Sequence, residues 1–176
     1  TFEKYENFMI NFYKLFYENS LKSRYYTRIS NLFSGIENTP LSSQKEIYNF
    51  FQENLINIDL IPYHSTSFGL ANNLSKEQNL YIKQRFESVM EFVSSINSKL
   101  IIFNGKEHLK LLDEYNYLEN AKIHDINDRV KLYVFYINSV PCILFSKMIT
   151  QAGTGIKNEH MREIIAKIIK KHLNIL

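Results

Sequence analysis

The sequence predicts an α/β fold, a three-layer sandwich with a small, mainly parallel central sheet and a helical N-terminal segment. Three observations predict it. After about residue 52, short β-branched apolar runs alternate with stretches of helical periodicity, the order of layered α/β domains. Before that point the apolar residues recur at helical spacing only. The 176-residue chain is 45% hydrophobic, with 13 Phe and 12 Tyr, enough to pack a core as one domain, helical over 1–52 and sheet-and-helix over 53–176.

The elements follow in order. Phe8, Phe12, Leu15 and Phe16 recur at helical spacing, and Tyr26, Ile29, Leu32 and Phe33 do so again. Ser43-x-x-Glu46 is a capping box that opens a third helix, with Ile47, Phe50 and Phe51 turned inward. Leu55 to Ile61 reads as a strand that Pro62 ends by removing a ladder donor. Ser75-x-x-Gln78 caps the most regular helix, whose inward face is Ile82, Phe86, Val89, Val93 and Ile96.

Leu100 to Phe103 is an unbroken apolar run, the mark of a buried strand. Asn104-Gly105 follows it. The dipeptide is a hairpin signal, but Lys106 to Tyr115 has helical periodicity, so Gly105 is read as a tight strand-to-helix turn. Asp125 and Asp128 are read as a turn or cap before a hairpin, made of strands Val130–Ile137 and Pro141–Phe145 around Asn138-Ser139-Val140. A last helix, about Lys157 to Leu173, turns Met161, Ile164, Ile165, Ile168 and Leu173 inward and Lys167, Lys170 and Lys171 outward.

Ligands of open α/β sheets bind beyond the carboxyl ends of the strands. That directs attention to Tyr63–Leu74, Asn104-Gly105 and Ser146–Lys157. The first loop offers Tyr63, His64, Ser65, Ser67 and Phe68, with Asn57 and Asp59 on the strand before it. His64 beside Ser65 is no nucleophile–base pair, because adjacent residues of an extended chain face opposite ways and no G-x-S-x-G elbow exists. These groups either shape the turn through backbone hydrogen bonds or line a crevice. In the last loop, Gly153-Thr154-Gly155 precedes a helix, where small residues let amides approach a phosphate, or else serve as a flexible connection. His64, His108, His124, His160 and His172 are scattered without metal-ligand spacing, so no metal and no cofactor are expected.

The formal charge of +3 permits contact with nucleic acid without demanding it. One cysteine, Cys142, excludes an internal disulfide and fits a reducing compartment. No run approaches the roughly 20 apolar residues of a membrane span. A cytoplasmic protein is expected, not bound to membranes.

The element order, with "IDLIPYHS", "LIIFNGKEHLKLL" and "PCILFSKMITQAGTGIKNEHMREIIAKIIKKHL", resembles the uracil-DNA glycosylase superfamily, in particular its divergent bacterial branches. The likeness covers roughly residues 52 to 174. It implies DNA as partner, single-stranded or with a flipped base. The Asn57 to Ser65 region would correspond to the base-reading segment, and Asp59 and His64 are the catalytic candidates. Tyr63 or Phe68 would stack on the base, and Asn57, Asp59 or Asn104 would read its edge. Ser65, Ser67, Lys147, Thr154 and Gly155 would meet the DNA backbone. The family's water-activating Gly- and Pro-containing turn is not found here, and Ser146-Lys147-Met148 stands near the place of its His-Pro-Ser. The resemblance therefore leaves open an active base-excision hydrolase of DNA repair and a catalytically degenerate relative. Two other readings stand beside it. One is a nucleotide- or phosphate-binding enzyme using the same crevice, the other a protein-interaction module docking through its aromatic N-terminal helices.

Overall fold

The computed structural model describes residues 24–38, 41, 43–56, 58, 75–149 and 153–173. The expected helix around Phe8–Phe16 lies outside them. So does most of the expected strand Leu55–Ile61, while Leu55, Ile56 and Ile58 carry no strand structure. The chain forms two compact units. A helical unit combines Thr1–Ile56 with Ile156–Leu176, and a sheet unit spans Asn57–Gly155.

In the helical unit, α1 (Arg24–Glu37) buries Tyr26, Ile29, Leu32 and Ile36, the expected stripe with one further turn. Helix α2 (Gln44–Asn54) begins at the expected capping box: the Glu46 amide donates to Ser43 Oγ at 3.2 Å and the Ser43 amide to Glu46 Oε2 at 2.9 Å. It buries Phe51, whose ring meets Tyr26 edge-on at 5.4 Å, while Phe33 and Phe50 are half-buried partners at 5.0 Å. Tyr26 and Phe51 thus serve the core, with Phe33 and Phe50 packed against each other beside it.

The last helix, α5, runs through Asn158–His160, a π-helical turn Met161–Ile165 and Ala166–Leu173. Its buried residues are Met161, Ile165, Ala166 and Ile169, whereas Ile164 is 42% exposed and Ile168 half-buried. An uninterrupted α-helix would bury Met161, Ile164, Ile165 and Ile168, as the spacing predicts. A π turn takes in one extra residue, so every later inward position moves on by one. The Leu173 side chain lies outside the described residues. Gly35 of α1 lies against this turn: a Cβ there would sit 2.7 Å from both Ala166 Cβ and the Arg162 carbonyl oxygen. Arg28 Nη2 also donates to the Ile156 carbonyl at 2.7 Å, tying α1 to the approach to α5.

The sheet unit contains α3 (Lys76–Ser95), β1 (Ile101–Asn104), α4 (Glu107–Glu114), β2 (Lys122–Asn127), β3 (Val130–Ile137) and β4 (Val140–Phe145). The strand order is β1-β4-β3-β2, with β1 parallel to β4 and the other two pairings antiparallel. The described sheet is therefore mixed and mostly antiparallel where a mainly parallel one was expected. The reason is local. Asn138 and Ser139 both have positive φ, 49° and 67°, and close β3–β4 as a two-residue hairpin. Asp128-Arg129 closes β2–β3 between the paired Asn127 and Val130. Such short turns force antiparallel neighbours.

Strand β2 is the element the sequence conceals. Lys-Ile-His-Asp-Ile-Asn is a polar edge strand with Ile123 55% exposed, and Asp125 belongs to it rather than to the turn. Gly105 does make the expected strand-to-helix turn, at φ 125°, with its amide donating to the Phe145 carbonyl at 3.1 Å.

One face of the sheet carries Phe103, Phe135, Ile137, Cys142 and Leu144, packed with Ile82, Phe86 and Met90 of α3 and Leu111 and Leu112 of α4. Met90 takes an inward place beside the expected Ile82, Phe86 and Val93, while Val89 is half-buried and Ile96 is 36% exposed. Val130, Leu132, Val134, Ile143 and Phe145 alternate onto the other face and are also buried. Tyr115 Oη, donating to the Glu87 carboxylate at 2.6 Å, links the C-terminal end of α4 to the middle of α3, and that bond pushes the phenol up to about 12.

Burial pushes the Cys142 thiol up to about 12 from an ordinary 9.0, partly opposed by a backbone hydrogen bond from Ile137. The folded value lies above the unfolded one. Its contribution to stability is therefore full below pH 9 and is lost as pH rises towards 12. Native protein at pH 8 should leave this thiol unreacted with a thiol reagent and yield one equivalent after denaturation. The unfolding free energy from urea titration should fall between pH 8 and 10.5 by roughly 2 kcal/mol more than in Cys142→Ala. Rapid labelling of native protein would show that the site opens.

Candidate functional site at the sheet edge

The parallel pair β1–β4 aligns Asn104 with Phe145, so both strands end at one edge. The antiparallel register of β3 and β2 brings Val130, Asn127 and their turn to the same edge. Three loops converge there: Asn104–Lys106, Asn127–Val130 and the described parts of the chain after β4, Ser146–Ile149 and Gly153–Gly155.

The expected site residues divide in two. Asn57, Asp59, Tyr63, His64, Ser65, Ser67 and Phe68 lie outside the described residues. Asn104, Lys147, Thr154 and Gly155 are described, and each has a distinct setting. Asn104 Oδ1 accepts the Ile149 amide at 2.9 Å, fastening the end of β1 to the chain beyond β4. With its oxygen engaged, this carboxamide keeps Nδ2 as its donor group. Lys147 is exposed, as is Met148 at 46%. Ser146 before them extends the ladder: its amide donates to the Lys131 carbonyl at 2.9 Å, and its Oγ accepts the Lys131 amide at 2.8 Å.

Thr154 is only 2% exposed, so its side chain is enclosed and does not face solvent. Its carbonyl accepts from Asn127 Nδ2 at 2.9 Å, and the Gly153 carbonyl accepts from Arg129 Nη1 at 2.8 Å. Gly153 and Gly155 have φ of +79° and +71°, and a Cβ at Gly155 would approach Asn127 Nδ2 to 3.3 Å. The backbone path of this loop calls for both glycines on its own account. Asn127 is the centre of the arrangement, since its Oδ1 also accepts the amides of Arg129 at 2.9 Å and Val130 at 3.0 Å. Neither Asn127 nor Arg129 stands out in the sequence. An Asn opening a two-residue turn is the available signal, because its side chain can bind the backbone two residues on.

The edge is mildly basic. Lys106 and Lys147 are exposed, Arg129 is engaged with the loop, and Lys131 lies 3.8 Å from Asp125 in an exposed pair that contributes little. Among the described residues no three His, Cys, Asp or Glu side chains gather where they could hold a metal ion. No described helix is long and apolar enough to cross a membrane.

No family model, curated protein or solved structure matches this chain. The functional reading accordingly rests on the residues themselves: an edge with donors at Asn104 and cations at Lys106 and Lys147, braced by the β2–β3 turn.

Proposed function

We propose that the protein binds DNA, single-stranded or with a flipped base, at the carboxyl edge of β1 and β4. It does so either as a base-excision glycosylase of uracil-DNA-glycosylase-like fold or as a catalytically degenerate relative. The observation that carries the reading is the convergence of three loops at that edge, with an exposed lysine, Lys106 or Lys147, two residues past each of the two parallel strand ends. Lysines there suit phosphates, and the Asn104 amino group suits a carbonyl of a base edge. The finer fold belongs to the same proposal. Three layers are supported by burial of both sheet faces.

Fluorescence anisotropy of a labelled, uracil-containing single strand, titrated with protein at several salt concentrations, tests this. Affinity should fall with salt at a slope of about 0.7 per phosphate contact, and Lys147→Glu should lower the slope by about that amount. A base-release assay on the same strand then separates the active from the degenerate form. Absence of binding at low salt would sink the proposal. Equal binding of a mononucleotide and of the polymer would replace it with a small phosphate ligand in the same crevice.

A further inference from the structure

The charge of this protein is unevenly placed. The whole chain has 21 Lys and Arg against 18 Asp and Glu. Lys157 and the helix α5 behind it hold five of those cations (Lys157, Arg162, Lys167, Lys170 and Lys171) and two of the carboxylates (Glu159 and Glu163). The rest of the chain therefore balances sixteen against sixteen, and the formal excess of +3 resides entirely on α5 and its leading residue. From Ile164 to Leu173 the helix carries three lysines and no acid.

The fold turns these cations outward. Met161, Ile165, Ala166 and Ile169 occupy the buried side, which leaves Arg162, Lys167 and Lys171 exposed and Lys170 half-buried. None of the four forms an ion pair among the described residues, although Glu163 stands one helical turn before Lys167. Cations in a last helical turn complement the carbonyl end of the helix dipole. That accounts for Lys170 and Lys171 but not for Arg162 and Lys167, which lie further back. At about 1.5 Å per residue the four span roughly 13 Å of helix, a row long enough for several consecutive phosphates.

We propose that the outer face of α5 is a second, sequence-independent contact for the phosphate backbone of a nucleic acid; the class of ligand rests on the DNA-binding reading above. A nucleic acid fits better than an anionic membrane. A helix that lies in a membrane interface must offer it an apolar face, and here that face is buried within the protein, with Ile164 as the exposed apolar side chain of the row.

The test compares wild-type protein, Lys167→Glu/Lys171→Glu and Lys147→Glu. Labelled single- and double-stranded oligonucleotides are titrated over a salt series, with anionic phosphatidylserine vesicles in parallel. All variants are first checked for native circular dichroism and an unchanged urea midpoint. The α5 double variant should bind duplex at least tenfold more weakly, with a salt slope reduced by nearly 2. Wild-type binding with an unchanged slope in the double variant overturns the α5 contact while the strand-edge reading stands. Loss through α5 with no effect of Lys147→Glu and no preference for uracil keeps the α5 contact and overturns the strand-edge reading. Vesicle binding without oligonucleotide binding, or binding of neither, overturns both.

Discussion

Gly35→Ala should destabilise the helical unit by about 2 to 3 kcal/mol, against the direction that helix propensity alone dictates. Within a helix, alanine is favoured over glycine by about 1 kcal/mol. Here the added methyl would stand 2.7 Å from Ala166 Cβ, 2.7 Å from the Arg162 oxygen and 2.8 Å from Arg162 Cα. Two of these are backbone atoms of the π-helical turn, so no rotamer change relieves them and the two helices must move apart. Overpacking of this kind costs about 1 to 3 kcal/mol, and more where backbone must shift. Urea unfolding followed by circular dichroism and tyrosine fluorescence measures it cleanly, since the chain has no Trp. Adding Ala166→Gly should recover only part of the loss, because it removes one of the three contacts. A Gly35→Ala protein as stable as wild type, or more so, would mean that α1 and α5 do not approach this closely.

The second large effect is expected at Asn127, where one side chain holds both the β2–β3 turn and the glycine loop. Asn127→Ala strands the amide of Val130, a residue with no exposed surface, and the carbonyl of the enclosed Thr154. The Arg129 amide, in an exposed turn residue, regains water. At about 1 to 3 kcal/mol for each buried group left unsatisfied, the sheet unit should lose roughly 3 kcal/mol. Asn127→Asp keeps acceptors for the two turn amides but sets a carboxylate oxygen against the Thr154 carbonyl, so it should restore about half. Hydrogen exchange gives the local signature: the Val130 amide should exchange faster in Asn127→Ala and be protected again in Asn127→Asp. An unfolding free energy within about 0.5 kcal/mol of wild type, the range of an ordinary surface change, would show that these bonds do not hold the edge together.

Much of the architecture could be read from the chain, where local chemistry decides it. The boxes at Ser43 and Ser75 start helices because the reciprocal bonds lie within one turn. Gly105 turns a strand into a helix because the apolar periodicity changes from one side of it to the other. Asn138-Ser139 closes a hairpin between two β-rich runs, with Asn138 a residue that tolerates the positive φ such a turn requires. The face of α1 formed by Tyr26, Ile29 and Leu32 is buried as its spacing dictates. At the candidate site, the sequence singled out Asn104 and the Gly153–Gly155 loop as positions of consequence, and both lie at the edge where β1 and β4 end.

What remained hidden depends on partners distant in sequence. Strand β2 is polar because it is an edge, and only its ladder to β3 makes it a strand. Asn127 matters through Thr154, 27 residues away, and Asn104 through Ile149, 45 residues away. Periodicity carries no trace of such pairings. The inward face of α5 was displaced by a single residue because the helix takes a π turn where Gly35 admits its backbone, and close packing rather than propensity set its phase. Where helices and turns begin is written in the chain, since those bonds form between near neighbours. Strand direction, helix phase and the meeting of polar groups came from packing, because each depends on a contact made only when distant segments come together.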